Sequence, residues 1–236
     1  MRIDKLVSDA GIASRKECAK AARSGGILVD GIPEKNTARH IDPEKNTVTY
    51  LGRVIEYKRF VYILLNKPEG YVSATEDTAH PYVTELLPEE LRRRGLFPVG
   101  RLDKDTVGVM ILTDDGKLAH TVLSPKKHVS KIYRFHLAEP LRVGAEEYFR
   151  EGVTLADGYE CKSAGLLMDE SRLSGEIILT EGKYHQIKRM MGAMGNKVTY
   201  LERIRFASLP QGNLPERGGW RYLTPEEERA LRAAAE

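Results

Sequence analysis

Two aspartates, Asp103 and Asp105, lie in the run Gly100-Arg101-Leu102-Asp103-Lys104-Asp105-Thr106-Val107-Gly108. A positioned carboxylate can attack a sugar carbon or carry a proton, and a carboxylate pair is also what a glycoside hydrolase employs. Taken alone, an aspartate placed as Asp103 is usually no more than a turn cap. Two further segments hold reactive side chains: Lys131-Ile132-Tyr133, and Glu181-Gly182-Lys183-Tyr184-His185-Gln186-Ile187-Lys188-Arg189-Met190-Met191. Singly, Tyr133 is a packed strand tyrosine, Lys188 a solvated helix charge and Leu179 ordinary core. The six histidines are scattered, and neither a G-x-x-x-x-G-K-[ST] nor a G-x-G-x-x-G phosphate loop occurs. We therefore expect no metal and no cofactor. Cys18 and Cys161 are too few for a disulfide framework.

The elements that must position these residues fall into two groups. Ile3, Leu6, Val7 and Ala10 form one apolar helical face, stopped at Gly11. Ser14 and Glu17 have capping-box spacing, which predicts a second helix running to about Ser24 before Gly25-Gly26. Ile27–Val29, the Asp30-Gly31 turn, Ile32 and Thr47–Tyr50 read as short strands, and residues 52–60 as a linker. Beyond it we expect strands at Phe60–Leu65, Val107–Ile111, Ile132–Leu137 and Glu176–Thr180, with an Asp114-Asp115-Gly116 turn. Helices are predicted near 144–151, 184–195 and 225–235. Strands and helices do not alternate regularly, so the class is α+β rather than a doubly wound sheet. The expected domains are 1–58 and 60–236.

Charge is unevenly placed. Residues 1–58 hold 11 Lys/Arg against 8 Asp/Glu, so the first quarter of the chain carries the whole net charge of +3. On the second helix Lys16, Lys20 and Arg23 share a face at i, i+4, i+7, with Arg15 beside them, a face suited to phosphates. Two later segments, from Lys126 to Arg134 and from Lys183 to Arg205, are locally basic. No stretch has the length and apolarity of a membrane helix, and Met1-Arg2-Ile3-Asp4-Lys5 has no apolar signal core. The expectation is a cytoplasmic monomer with a polyanionic partner and no membrane partner.

Residues Arg2–Leu6, Ser14-Arg15-Lys16 and Val29-Asp30-Gly31 resemble the α-L RNA-binding module named after the fourth protein of the small ribosomal subunit. The Asp103 run, followed by Val109–Leu112 and Thr113-Asp114-Asp115-Gly116, resembles the signature of the pseudouridine synthases, specifically the RsuA family of ribosomal RNA enzymes. The Lys131-Ile132-Tyr133 and Glu181–Met191 segments match that family in order. The resemblance implies a mixed, largely antiparallel sheet flanked by helices behind the small RNA-binding domain. It implies Asp103 as the essential aspartate, Tyr133 stacking on the target base, and Lys188 pairing with the aspartate. It also implies a pocket of Arg101, Leu102 and Leu179. RNA contacts are then expected from Arg2, Arg15, Lys16, Lys20, Arg23, Lys131, Lys183 and Arg189.

The reaction so implied breaks the bond between uracil and ribose and rejoins the base through a ring carbon, an isomerisation that needs no redox partner. The uridine must be flipped out of folded RNA. A carboxylate taken out of water tends to stay protonated unless a cation lies within ~4–6 Å, the part Lys188 would play. Asn66–Val72, Asp77 and His80-Pro81 resemble the small-subunit enzyme in particular, whose target is uridine 516 of 16S rRNA. The alternatives are the same chemistry on a 23S uridine, a non-catalytic RNA-binding assembly factor, and a hydrolase using Asp103 with Asp105.

Overall fold

The computed structural model describes residues 1–207, 209 and 214–235. By contact, the chain divides into one unit of Met1–Val61 with Thr84–Phe97, and another of Tyr62–Val83 with Pro98–Glu236.

In the first unit, α1 (Ile3–Asp9) and α2 (Arg15–Arg23) precede β1 (Ile27–Val29), β2 (Ile32–Pro33), β3 (Val48–Tyr50) and β4 (Arg53–Val54). The four strands form an antiparallel sheet in the order β2-β1-β3-β4. The Ser14–Glu17 capping box starts α2, each partner satisfying a free backbone amide. Ile3, Leu6, Val7, Cys18, Ala22, Ile27, Val29 and Val48 make the core. The stretch 52–60 is not simply a linker: Arg53 and Val54 pair with β3, and Ile55 is buried. The turn at Leu51-Gly52, both at positive φ, returns the chain onto the sheet edge. Residues 84–97, expected in the second domain, group with the first unit and include α3 (Glu89–Arg93). There Gly11, at φ +72, lies so close to the Glu90 backbone that a Cβ would stand 1.8 Å from its carbonyl oxygen.

The second unit is built on an eight-stranded sheet. Its strands are β5 (Tyr62–Lys67), β6 (Phe97–Pro98), β7 (Val107–Thr113), β8 (Lys131–Leu137), β9 (Gly165–Met168), β10 (Ser174–Leu179), β11 (Val198–Phe206) and β12 (Trp220–Tyr222). They run β12-β5-β7-β11-β8-β10-β9, with β6 paired to β7 off that path. Only the β7–β11 pairing along the path is parallel. The helices are α4 (Gly116–Leu123), α5 (Ala145–Glu151), α6 (Gln186–Ala193) and α7 (Pro225–Ala233). The class is thus α+β with a mostly antiparallel sheet.

One local expectation changes. Asp114-Asp115-Gly116 does not merely turn the chain: the buried Asp115 caps α4, accepting from the Leu118 amide at 3.0 Å and from the Tyr62 hydroxyl at 2.6 Å. The aliphatic β7 is buried along its whole length, so both its faces are covered. Within it Gly108, at φ +103, allows β11 to approach: a Cβ there would sit 2.2 Å from the Arg203 carbonyl oxygen. Gly108→Ala should therefore destabilise the second unit by more than about 3 kcal/mol, through backbone clash and unfavourable φ together. Chemical denaturation measures this; a loss below about 1 kcal/mol would show that the strands can part without penalty.

Candidate active site

The loop carrying Asp103 is held through its backbone. Lys67, wholly buried at the end of β5, donates from Nζ to the carbonyls of Thr106 (2.7 Å), Asp103 (3.0 Å), Lys104 (3.2 Å) and Pro68 (3.2 Å). Four neutral acceptors compensate a burial that pulls this amine down to about 8. The Ser73 hydroxyl donates to the Leu102 carbonyl (2.7 Å) and accepts from the Leu102 amide (2.9 Å). With its main chain fixed on both sides, Asp103 presents a partly buried carboxylate.

That carboxylate meets α6. Lys188 Nζ donates to Asp103 Oδ2 at 3.0 Å and to Asp105 Oδ1 at 2.5 Å. On the other oxygen, His185 Nε2 lies 3.6 Å from Asp103 Oδ1. His185 occupies a left-handed conformation at φ 48 just ahead of α6 and stacks on Tyr184, with ring centroids 3.8 Å apart. Burial acts to lower the Lys188 amine, but its hydrogen bonds to Asp105 and Asp103 outweigh that and raise it. For Asp105, burial acts upward and the Lys188 hydrogen bond and charge prevail, so this carboxyl is lowered. Each shift favours the ionised pair.

Asp103, Lys188, Tyr133, Arg101, Leu102, Leu179, Lys131 and Lys183 all line one cleft of about 750 Å³. Tyr133, Leu102 and Leu179 are buried there, whereas Arg101 is exposed. The sheet supplies the floor: on β8 Tyr133 stands opposite Ile177 of β10 and Arg203 of β11, and Lys131 opposite Leu179. Lys183 is not a free rim charge, because its ammonium sits 4.6 Å from the centre of the Tyr159 ring.

Other expected contacts lie elsewhere. Arg189 does not line the cleft; it pairs with Asp157 at 2.5 Å. In the first unit Arg2 is held by the buried Asp4 at 2.6 Å, and the same hydrogen bond lowers the Asp4 carboxyl. Arg15, Lys16, Lys20 and Arg23 are exposed on α2.

Sequence reasoning missed Lys67, Ser73, His185, Leu201 and Arg203, the last four of which line the cleft. Leu201 and Arg203 sit on β11, where charged residues interrupt the apolar pattern. Among the described residues, no group of three or more His, Cys, Asp and Glu could hold a metal ion. No helix among them is long and apolar enough to cross a membrane.

The family model for RNA pseudouridylate synthases matches residues 61–193, and that for the S4 domain matches residues 1–45. An uncharacterized RNA pseudouridine synthase of Bacillus subtilis is 41% identical over 96% of this chain and 96% of its own. The ribosomal small subunit pseudouridine synthase A of Vibrio parahaemolyticus is 39% identical over 96% of this chain and 97% of its own. Among solved structures, a pseudouridylate synthase superposes with a TM-score of 0.68 at 31% identity, covering 98% of this chain and 99% of the other. The chain therefore belongs to the RNA pseudouridine synthase family, an S4 domain followed by an isomerase domain with the pseudouridine synthase fold.

Proposed function

We propose that this isomerase converts one specific uridine of 16S ribosomal RNA, corresponding to uridine 516 in the small-subunit enzyme it resembles, to pseudouridine. It acts as a cytoplasmic monomer on the assembling small subunit. The observation that carries the chemistry is the 3.0 Å contact between Lys188 and Asp103 within a cleft that also holds Tyr133. The small-subunit assignment is supported by relatives of that name at 35–39% identity over nearly the whole chain.

In this reading the uridine is flipped into the cleft, at a cost of a few kcal/mol. Stacking on Tyr133, of the order of 1–3 kcal/mol, helps offset that cost. Leu179 and Leu102 receive the apolar face of the base, and Arg101 supports the RNA from which it was drawn. Asp103 acts as nucleophile at the sugar or as base on a ribose proton, and Lys188 holds its carboxylate through the 3.0 Å hydrogen bond. Phosphate contacts come from Arg15, Lys16, Lys20 and Arg23, with Arg2, Lys183 and Arg189 as further basic positions.

Mapping pseudouridine in ribosomal RNA from cells with and without the gene tests the target. Loss of a single 16S site is expected; loss of a 23S site instead, or of none, would overturn the assignment. Reversing charge on α2, by Lys16→Glu, Lys20→Glu and Arg23→Glu together, should weaken RNA binding by at least about tenfold at physiological salt and flatten the salt dependence by about two to three charges. Binding titrations at several salt concentrations read both, and an unchanged slope would remove α2 from the RNA contacts.

A further inference from the structure

We propose that Lys131 carries the proton that must pass from C5 of the base to N1 during the isomerisation, making it a second reacting group in the cleft; this rests on the isomerase reading above. Converting uridine to pseudouridine breaks N1–C1′, forms C5–C1′, removes the hydrogen on C5 and places one on N1. When N1–C1′ breaks, the electron pair stays on the base, and the Lys131 ammonium donates a proton to N1. Once C5 has bonded to C1′, the resulting neutral amine takes the proton from C5. Lys131 ends as it began, and no outside reagent is required.

Three observations place this lysine. First, Lys131 and Tyr133 are two apart on β8 and so share a sheet face. Lys131 stands opposite Leu179 and Phe206, and Tyr133 opposite Ile177 and Arg203. The ammonium therefore borders the floor on which the base would rest, and it lines the cleft with Asp103. Second, its only described hydrogen bond is to the Val129 carbonyl, at 3.2 Å. Among the described residues it forms no ion pair with a carboxylate, whereas Lys188 is engaged by two. Lys131 is thus the less committed of the two amines.

Third, its surroundings disfavour the charge. Arg203 of β11 is almost wholly buried, donates from Nε to the Val109 carbonyl at 2.7 Å, and has a buried Nη2 with no hydrogen-bond partner among the described residues. Burial first, and the Arg203 charge second, bring the Lys131 amine down to about 8, with Glu181 opposing. Glu181 itself is occupied by the Tyr159 hydroxyl, the Lys162 amide and the Gln186 side chain. The remaining titratable groups lining the cleft are Tyr133 on its own strand, Asp77, Arg101, Asp103 and Lys104 on the loops, and Lys183, Tyr184, His185 and Lys188 from the α6 segment. An acid that must give and regain a proton near neutral pH performs best with this balance.

The test uses the full-length protein and a ribosomal RNA transcript made with uridine or C5-deuterated uridine, under single-turnover conditions at saturating enzyme. The wild-type rate should fall as pH rises through about 8, because the ammonium form is lost. Lys131→Arg keeps the charge but neither gives nor regains a proton in this range; it should slow turnover by about 10²-fold or more. It should also lose the alkaline limb near 8, show a C5-deuterium effect absent or smaller in wild type, and bind RNA within about threefold of wild type. Lys131→Met, with thermal melts on both variants, guards against a folding defect.

Wild-type-like turnover at saturation in either variant, or weaker RNA binding as the sole change, would overturn the proposal and leave Lys131 a phosphate anchor. If Asp103→Asn is inert while the Lys131 variants turn over normally, only the lysine assignment falls. If the wild-type protein makes no pseudouridine at all, the isomerase reading falls first.

Discussion

Asp103→Asn is expected to reduce pseudouridine formation by at least about 10⁴-fold while leaving the fold and the RNA affinity close to wild type. The asparagine fills the same space but can neither attack a sugar carbon nor take a proton. Its backbone will stay where it is, because Lys67 grips the carbonyls of residues 103, 104 and 106, and Ser73 grips Leu102 from both sides. Lys188 is not stranded either, since it keeps Asp105 at 2.5 Å. Single-turnover assays with thermal melts and RNA titrations separate these effects. Residual activity within tenfold of wild type would remove Asp103 from the chemistry.

Lys188→Met should lower the single-turnover rate by about 10²–10³-fold, with RNA affinity changed less than about threefold. One ammonium serves the partly buried Asp103 and the exposed Asp105, and without it both carboxylates lose that cation. Asp105 lies below its ordinary range because Lys188 overcomes the effect of burial, so its share of the stabilisation is present above that range and is lost as pH falls through the lowered value. Lys188 is raised, so its share holds at and below neutral pH and is lost only as pH rises through its folded value. The wild-type arrangement is therefore complete across the neutral range. In the methionine variant the acid limb of the pH–rate profile should move upward, because the cation that lowers the Asp105 carboxyl is gone, and Lys188→Arg should restore much of its wild-type position. Equal losses of rate and RNA affinity would mean that Lys188 binds RNA rather than holding the aspartate.

The residues of the cleft were legible where chemistry is written in contiguous segments. The Asp103 loop, Lys131-Ile132-Tyr133 and the stretch from Glu181 to Met191 each sit within one local element, and the sheet brings all three together. What the chain hides is the strand that joins them. Glu202, Arg203 and Arg205 make β11 look like a polar surface, yet Arg203 is 1% exposed and its strand lies between β7 and β8. A register shift between Arg203 and Arg205 further breaks the period-two pattern on which strand recognition depends.

Helix α4 was missed for a different reason. An aspartate that satisfies free amides begins a helix as readily as it closes a turn, and Asp115 does the former. The basic residues were the least legible. Whether a lysine or arginine meets solvent or a neighbouring carboxylate is set by its partners in space, as with Arg189 and Asp157 or Arg2 and Asp4. By contrast α2 shows its cations where their helical spacing puts them, because only Glu17 on that helix competes for them, and it is taken by Ser14 and Arg93.

The most direct measurement is tritium release from 16S ribosomal RNA labelled at C5 of uridine, incubated with the purified protein. Release of one tritium per RNA molecule is expected, in step with one pseudouridine formed, and none with the Asp103→Asn protein. Absence of release by the wild-type protein, or the appearance of free uracil in its place, would contradict it.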